Sequence, residues 1–464
     1  MLVMKFGGTS VGDAACFVQV ANIVARYLDR QPVIVVSAMS GVTNTLLALA
    51  RQAQTGDTSV TSAPVAELLA SHQAVIRDAI NSERERSAVS HDLAAYSRDL
   101  VSILTGICLV REATGRSLDA VASFGEKMSA TLLAGVLRDR GHKAQAISAE
   151  DLIITDDNHG QAVPLIPISN RRIARHIPRL VEKGIIPVIT GFIARSTSGS
   201  TTTLSRGGSD FSASLIGAAL KAEEIWIWTD VDGVMTADPR LVAQAHPLEA
   251  LSYAEAAELS YFGAKVLHPK TIAPALGKGI PVWIKNTFNP DFPGTLIAAS
   301  RPSANSGNTV KSITSMANMS LVTVQGSGMI GVPGIAARVF AAVATTGANV
   351  MMISQSSSEY NICFIVGKSH SDKVVVALRS EFARELRAGD ISDIWTQDVA
   401  VLAAVGEGMR GTPGVAGRLF GALGRDGINV IAIAQGSSEL NISLVVEESQ
   451  RVAALRCIHK EFLG

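Results

Sequence analysis

Runs of consecutive apolar and β-branched residues alternate with long amphipathic stretches through roughly the first 290 positions. The strand-like runs are LVMKF (2–6), PVIVVSA (32–38), GIIPVITGF (184–192), IWIWTDV (225–231) and IPVWIKN (280–286). Their apolar positions are continuous rather than alternating, as in strands buried on both faces. Between them, residues 13–28, 123–140, 209–222 and 253–265 carry the spacing of helices that pack by one face. This alternation predicts an α/β fold, a mostly parallel sheet with helices on both faces. Residues 44–120 depart from it. They are polar and helical in pattern, with ERER at 83–86, and predict a helical insertion beside the sheet.

Near 289–308 the pattern gives way to NPDFPGTLIAASRPSANSGN, rich in Pro, Ser, Asn and Gly, which marks a domain boundary. Beyond it the chain repeats. Residues 326–366 align without a gap on 406–446, pairing Pro333 with Pro413, Arg338 with Arg418, Asn349 with Asn429, Gln355 with Gln435 and Glu359 with Glu439. Each copy reads strand, turn, proline-opened helix, strand, tight turn, strand, helix. The first copy continues to a further strand near 393–405, whereas the second stops after its helix. An unmatched strand, VKSITSM (310–316), precedes the first copy and fills the missing place in the second. The expected organisation is therefore a domain over 1–295, a linker over 296–309, and a paired region over 310–464. There the first copy (about 317–400) is inserted in the second (about 310–316 plus 400–464).

Composition narrows the function. Lys plus Arg equal Asp plus Glu at 41 each, so no charge excess points to nucleic acid or an anionic membrane. Apolar residues at 47% and charged residues at 18% suit a chain with buried cores, and 464 residues suffice for two or three domains. No apolar run reads as long enough to span a bilayer, and glycines break the opening run before a signal peptide could form. Cys16, Cys108, Cys363 and Cys457 are scattered in apolar surroundings. They fit reduced thiols in a cytoplasmic protein, and no Cys/His spacing suggests a metal site.

Several short stretches could carry chemistry. Lys5 ends the first strand and Gly7, Gly8, Thr9 and Ser10 follow, opening a helix: amide donors and a cation suited to phosphate. No GxxxxGK[ST] occurs, so a P-loop is excluded. GSGMIG (326–331) and GEGMRG (406–411) fit GxGxxG, but they occur twice in units too small for a dinucleotide fold, and read as turns. In TTTLSRGGSDFSAS (201–214), Arg206 suits a carboxylate, while Ser209 and Asp210 open a helix. SFGE (123–126) matches a capping box, which would make Glu126 structural. TDVDGVMTADPR (229–240) ends a strand where open α/β sheets bind ligands, and FGAKVLHP (262–269) offers Lys265 as a second phosphate contact.

KFGGTSVG, SFGEK, TTTLSRGGSD, TDVDGVMTADPR and FGAKVLHP together resemble, in order and spacing, the aspartokinases of the amino-acid kinase superfamily. The doubled segment resembles paired ACT domains, ferredoxin-like βαββαβ ligand-binding modules. The resemblance implies phosphoryl transfer from ATP, with Mg²⁺ bound mainly through the nucleotide, to the β-carboxylate of L-aspartate. By that resemblance Lys5, Asp210 and Lys265 are catalytic. Ser37, Thr43, Glu126, Arg206 and Ser209 hold aspartate. Lys5, Gly7, Gly8, Thr229, Asp230, Met235, Arg240, Lys265 and Val266 hold ATP, with Met235 standing where many relatives have tyrosine.

The ISQSSSEYN and IAQGSSELN segments resemble the threonine-sensitive form found in bifunctional aspartokinase–homoserine dehydrogenases. The implied effector residues are Asn349, Gln355, Asn429 and Gln435, and the implied effector is L-threonine, with L-lysine the alternative. A homodimer or dimer of dimers through the ACT regions is also implied. Two other readings stay open: a related kinase for another small acid, and an amino-acid sensor without catalysis.

Overall fold

The computed structural model describes residues 1–205, 207–263, 269–299, 309–356 and 359–464. Two compact units emerge. The first comprises residues 1–234, 247–253 and 266–302, and the second residues 235–246, 254–265 and 303–464.

The first unit is built on an eight-stranded sheet. In chain order its elements are β1 (Leu2–Phe6), α1 (Ala14–Ala25), β2 (Pro32–Val36), α2 (Val42–Ala53), α3 (Ala63–Ala79), α4 (Glu83–Val110), α5 (Gly115–Asp139), β3 (Ala144–Ile147), β4 (Ile154–Thr155), α6 (Ile166–Glu182), β5 (Ile186–Thr190), β6 (Ile193–Ser196), β7 (Thr201–Thr203), α7 (Gly208–Leu220) and β8 (Glu224–Thr229). β9 (Ala250–Ser252), α8 (Tyr253–Tyr261), α9 (Pro269–Leu276), β10 (Val282–Asn286) and β11 (Thr295–Ala298) follow, all of α8 after Tyr253 belonging to the second unit. The strand order is β3-β5-β2-β1-β8-β10-β11-β9, parallel throughout except where β11 runs against β10.

All five residues of β1 are buried, which is why the run shows no alternation. Leu2, Met4 and Phe6 face one side, in a core shared with α1 to α5, while Val3 faces the other and approaches Gly217 of α7. Sequence order reverses around β1: the chain first builds β2, β5 and β3 on one side, then returns to place β8 and β10 on the other. The crevice at the carboxyl ends of β1, β2 and β8 is therefore the topological switch point, where such sheets bind ligands. A small second sheet, β4-β6-β7, lies beside this main sheet.

The helical stretch resolves into α2, α3, α4 and the first turns of α5. α4 overturns one expectation. It contains an 18-residue window of mean hydropathy 1.5 and is long and apolar enough to cross a bilayer by length and composition. Its buried stripe of Val89, Leu93, Leu100, Leu104 and Ile107 joins the core of the first unit. α5 begins at Gly115, capped by the Thr114 hydroxyl, not at Ser123. SFGE therefore lies in mid-helix, and the capping-box reading of Glu126 is wrong.

In the second unit, β12 (Ser312–Gln325), α10 (Ile335–Thr345), β13 (Met352–Gln355), β14 (Asn361–Gly367), α11 (Ser371–Glu381), α12 (Ala383–Ala388), β15 (Asp393–Val405), α13 (Val415–Arg425), β16 (Ala432–Ala434), β17 (Asn441–Glu447) and α14 (Arg451–Leu463) form a six-stranded antiparallel sheet with helices. β12 and β15 each serve both copies. Residues 319–325 of β12 pair with β14 and with the first half of β15, and residues 312–316 pair with its second half, whose other edge pairs with β17. Two cores follow, one around Val322, Val339, Phe364 and Leu378, the other around Ile313, Leu402, Leu419, Leu444 and Ile458. The repeat persists in detail: Arg338 stacks on Phe382 at 4.5 Å and pairs with Glu381, and Arg418 stacks on Phe462 at 4.6 Å and pairs with Glu461.

Two details differ from the sequence reading. α10 and α13 start after Gly334 and Gly414 at positive φ, so Pro333 and Pro413 precede the cap instead of opening the helix. Residues 235–246 join the second unit because Ala237 and Val242 pack into its second core.

Candidate active site

The first unit contains an open cleft of about 520 Å³ at the switch point. Each wall comes from a strand's carboxyl end or the helix after it. Lys5 lies near the carboxyl end of β1 and Gly7 and Gly8 follow it, Ser37 follows β2 and Thr43 lies at the start of α2, Glu126 comes from α5, Ser209 and Asp210 open α7, and Thr229 ends β8 with Asp230 after it.

Lys5 Nζ lies 2.6 Å from Asp210 Oδ1, with both side chains largely buried. Asp210 Oδ1 has no aligned hydrogen-bond donor among the described residues, so the contact is an ion pair by distance. Glu126 is almost fully buried and its Oε2 has no partner among the described residues. Burial pushes its carboxyl up to about 8, and the backbone amides of Ala38 and Glu126 only partly oppose that.

The glycine turn after β1 differs from the expected helix opening. Gly8–Val11 is a single 3₁₀ turn, and α1 starts only at Ala14, capped by Asp13. The Gly7 amide donates to the Trp228 carbonyl at 3.1 Å and is not available to an anion. Gly8 is needed for packing, since a Cβ there would sit 3.0 Å from the Ala38 carbonyl oxygen. The long helix that opens onto the cleft is α7, whose cap Gly207 takes φ +77° and whose first turn holds Gly208, Ser209 and Asp210. Its N-terminal amides and dipole supply the anion-attracting end that the sequence suggested for the first turn.

Other expected residues are not in this cleft. Arg206, Lys265 and Val266 lie outside the described residues. Met235 and Arg240 belong to the second unit, where Arg240 forms a two-pronged bond to Asp238. Sequence reasoning missed Ser40, Gly41, Asn44 and Phe192 as lining residues. For the first three the signal was present, since SGVTN directly follows β2 at its carboxyl end. Phe192 had none.

The second unit holds a separate cavity of about 350 Å³ lined by Met329, residues 331–336, Gln355, Glu359 and Ile362. Glu359 takes φ +56° and accepts the Gly331 amide at 2.8 Å, and Glu439 takes φ +53° and accepts the Gly411 amide in the same way. The GxGxxG stretches thus serve packing: a Cβ on Gly326 would fall 2.2 Å from the Asp390 carbonyl oxygen. Gln355 lines the cavity, and Asn349, Asn429 and Gln435 do not. Asn349 instead donates to the Met351 sulfur, and Asn429 and Gln435 are exposed.

The profile of the amino acid kinase family matches residues 1–286. The chain belongs to the amino acid kinase family. The ACT domain profile matches twice, at residues 322–382 and 402–462. A bifunctional aspartokinase/homoserine dehydrogenase 2 of Arabidopsis thaliana chloroplasts is 42% identical over 99% of this chain and 50% of its own length. Aspartokinase 3 of Arabidopsis thaliana chloroplasts is 34% identical over 99% of this chain and 81% of its own. The crystal structure of E. coli aspartokinase III in complex with aspartate and ADP superposes with a TM-score of 0.83 at 27% identity, covering 100% of both chains. Within the amino acid kinases the chain thus groups with the aspartokinases, on the amino-acid kinase fold followed by ACT domains. It spans about half the length of the bifunctional relatives it matches.

Proposed function

We propose that the chain is a feedback-regulated aspartate kinase. It transfers the terminal phosphoryl group of ATP to the β-carboxylate of L-aspartate, giving 4-phospho-L-aspartate at the entry to lysine, threonine and methionine synthesis. Residues 1–295 are the catalytic domain and 310–464 the paired ACT regulatory region, acting in the cytoplasm, where the four free cysteines are stable.

The observation that carries this reading is the Lys5–Asp210 pair beside Glu126 in one cleft. Nucleophile and donor are both anions, and the β-carboxylate is already ionised at neutral pH. The reaction thus needs positioning and positive charge more than a base. Lys5, held in place by Asp210, presents an oriented ammonium to the phosphoryl oxygens, and the α7 amides add a second positive end. Glu126 receives the aspartate ammonium and Arg206 its α-carboxylate. Ser37, Thr43 and Ser209 complete the aspartate site, and Gly7, Gly8, Thr229, Asp230, Met235, Arg240, Lys265 and Val266 the nucleotide site.

Asp210 and Asp230 suit a hard, oxygen-seeking cation. Such a cation would be Mg²⁺, carried in on phosphate oxygens. Bound there, the ion neutralises phosphate charge.

The cavity at Gln355 is the effector site, with Asn349 beside it and Asn429 and Gln435 at the equivalent place in the second copy. Its neutral amide and Glu359 suit an amino acid with an uncharged polar side chain, hence L-threonine over L-lysine. Assembly is a dimer or dimer of dimers through the ACT sheet edges, supported by exposed Ile353 and Ile433 at matching positions of β13 and β16.

A coupled ADP-release assay with aspartate, glutamate and carbamate, with and without threonine or lysine, tests the reading. Turnover with aspartate alone, inhibited by threonine, is expected. Turnover restricted to another acid, or none, overturns it.

A further inference from the structure

β7 is three residues long and among the described residues its ladder is with β6, yet it stands just before Ser209 and Asp210 of α7 in the chain. So short an edge strand has little of its own to fix its position. All three of its threonine hydroxyls are committed. Thr203 Oγ1 donates to Asp119 Oδ1 at 2.5 Å, Thr201 Oγ1 to Glu150 Oε1 at 2.5 Å, and Thr202 shares a 2.8 Å bond with Thr155. Thr201 and Thr203, two apart, share a face of the strand.

The two carboxylates are buried and each has further partners. Asp119 Oδ2 lies 2.8 Å from the His159 ring Nδ1 and accepts from the Gly160 amide at 3.0 Å. Glu150 Oε2 lies 3.1 Å from Lys127 Nζ and accepts from Ser148 at 2.9 Å. Burial raises the Glu150 carboxyl, but Lys127 and the hydroxyl donors outweigh it, leaving it below its ordinary value. Hydroxyls that donate to ionised carboxylates make stronger, shorter bonds than neutral pairs.

Asp119 and Lys127 lie on α5, the helix that delivers Glu126 to the cleft. One helix therefore carries the ammonium-binding carboxylate, the anchor Asp119 seven residues before it and, one residue after it, Lys127, which holds the second anchor Glu150. Further along the chain, Asp210 is tied to Lys5.

We propose that Asp119 and Glu150 are positioning residues. Through Thr203 and Thr201 they brace β7 against α5 and so set the position, relative to Glu126, of the strand that leads to Ser209 at the cleft. The inference rests on the proposed aspartate kinase activity. The brace touches neither the nucleotide nor the reacting atoms, so it acts on aspartate affinity. Passing the loss of one hydrogen bond on to the aspartate site corresponds to roughly tenfold in affinity.

The test uses the full chain with isosteric changes. Thr203→Val removes only the hydroxyl, Thr203→Ser restores it without the methyl, and Thr201→Val and Asp119→Asn repeat the loss at the partner positions. The aspartate KM is expected to rise about tenfold in Thr203→Val and Asp119→Asn. Turnover and the ATP KM should stay within about twofold, and Thr203→Ser should return close to wild type. The aspartate-induced rise in melting temperature, read without turnover, should shrink in parallel. If the variants melt lower but keep the wild-type aspartate KM and the wild-type aspartate-induced rise, the brace is merely structural and the proposal is wrong. The same holds if ATP and aspartate KM rise together. A wild-type protein with no aspartate-dependent turnover and no aspartate-induced stabilisation would instead overturn the activity on which the inference stands.

Discussion

Lys5, the penultimate residue of β1, and Asp210, in the first turn of α7, meet at 2.6 Å although 205 positions separate them in the chain. The pair joins a cation on the central strand to the N-terminus of the longest helix opening on the cleft. A lysine on a four-carbon stem is ordinarily mobile. Here the carboxylate holds it, so its charge is oriented before any phosphate arrives.

Lys5→Ala is therefore expected to lower kcat by roughly 10²–10³-fold, the usual cost of one preorganised donor, and to change the aspartate KM by less than about threefold. The substitution also leaves Asp210 without its cation, so melting temperature should be followed together with rate. Lys5→Ala/Asp210→Asn removes that burden and should recover stability without recovering turnover. Steady-state kinetics giving Lys5→Ala near-normal kcat would remove Lys5 from the mechanism.

Glu126 ties binding and stability to pH. Its carboxyl is raised from 4.5 to about 8 by burial. Between those values the folded protein holds a proton that the unfolded chain releases, so stability falls as pH rises through that window and is unaffected by this group below it. Glu126→Gln cannot ionise, and it should melt higher than wild type at about pH 8 and above. An ammonium partner needs the ionised form, so the wild-type aspartate KM should fall as pH rises toward 8, and Glu126→Gln should lose that slope and bind aspartate weakly. A wild-type KM that is flat across this range would show that Glu126 does not meet the ammonium.

How far the chain announced its own fold depended on burial. β1, β2, β5, β8 and β10 were legible because both faces are covered and their apolar runs are continuous. β3, β7, β9 and β11 are short or partly exposed and left no such run. The start of α5 was misplaced because Ser123 and Glu126 mimic a capping box, whereas the working cap is Thr114. Nine of the ten expected site residues that line the cleft sit at a strand end or helix start, and the tenth, Glu126, lies in mid-helix. Asp119 and His159 could not be found that way, since their pairing spans 40 positions and has no local signature. Nor does local pattern say which core a short apolar pair such as Ala237 and Val242 will join.

A buried ion pair in the second unit gives a prediction about stability. Lys311 Nζ lies 2.6 Å from Glu255 Oε2, both side chains are almost wholly buried, and Glu255 Oε1 accepts the Glu407 amide at 2.8 Å. Removing one partner weakens the compensation of a buried charge, so Lys311→Met should cost up to roughly 3–5 kcal/mol. Replacing both ions by apolar groups avoids that cost, and Glu255→Leu/Lys311→Met should regain most of the loss. Calorimetry of the three variants checks this. A double variant no more stable than Lys311→Met would mean that the Glu255 bond to the amide, and not the ion pair, carries the effect.

The two ACT copies should differ in their response to effector. In the first, Gln355 and Glu359 line a cavity walled by Met329, Val332, Ile335 and Ile362. In the second, Thr412 stands in place of Val332, so an equivalent ligand would meet a different wall. Losing one hydrogen bond to a ligand costs about 1 kcal/mol, so Gln355→Ala should raise the half-inhibitory threonine concentration by roughly 5–10-fold, and Gln435→Ala by less. Basal turnover should be unchanged in both, because neither residue lines the cleft at Lys5. Inhibition curves with threonine and lysine for the three proteins check this. Equal shifts in the two variants would make the copies equivalent, and inhibition by lysine alone would reverse the choice of effector, since a neutral amide in this cavity would then be matched to the wrong side chain.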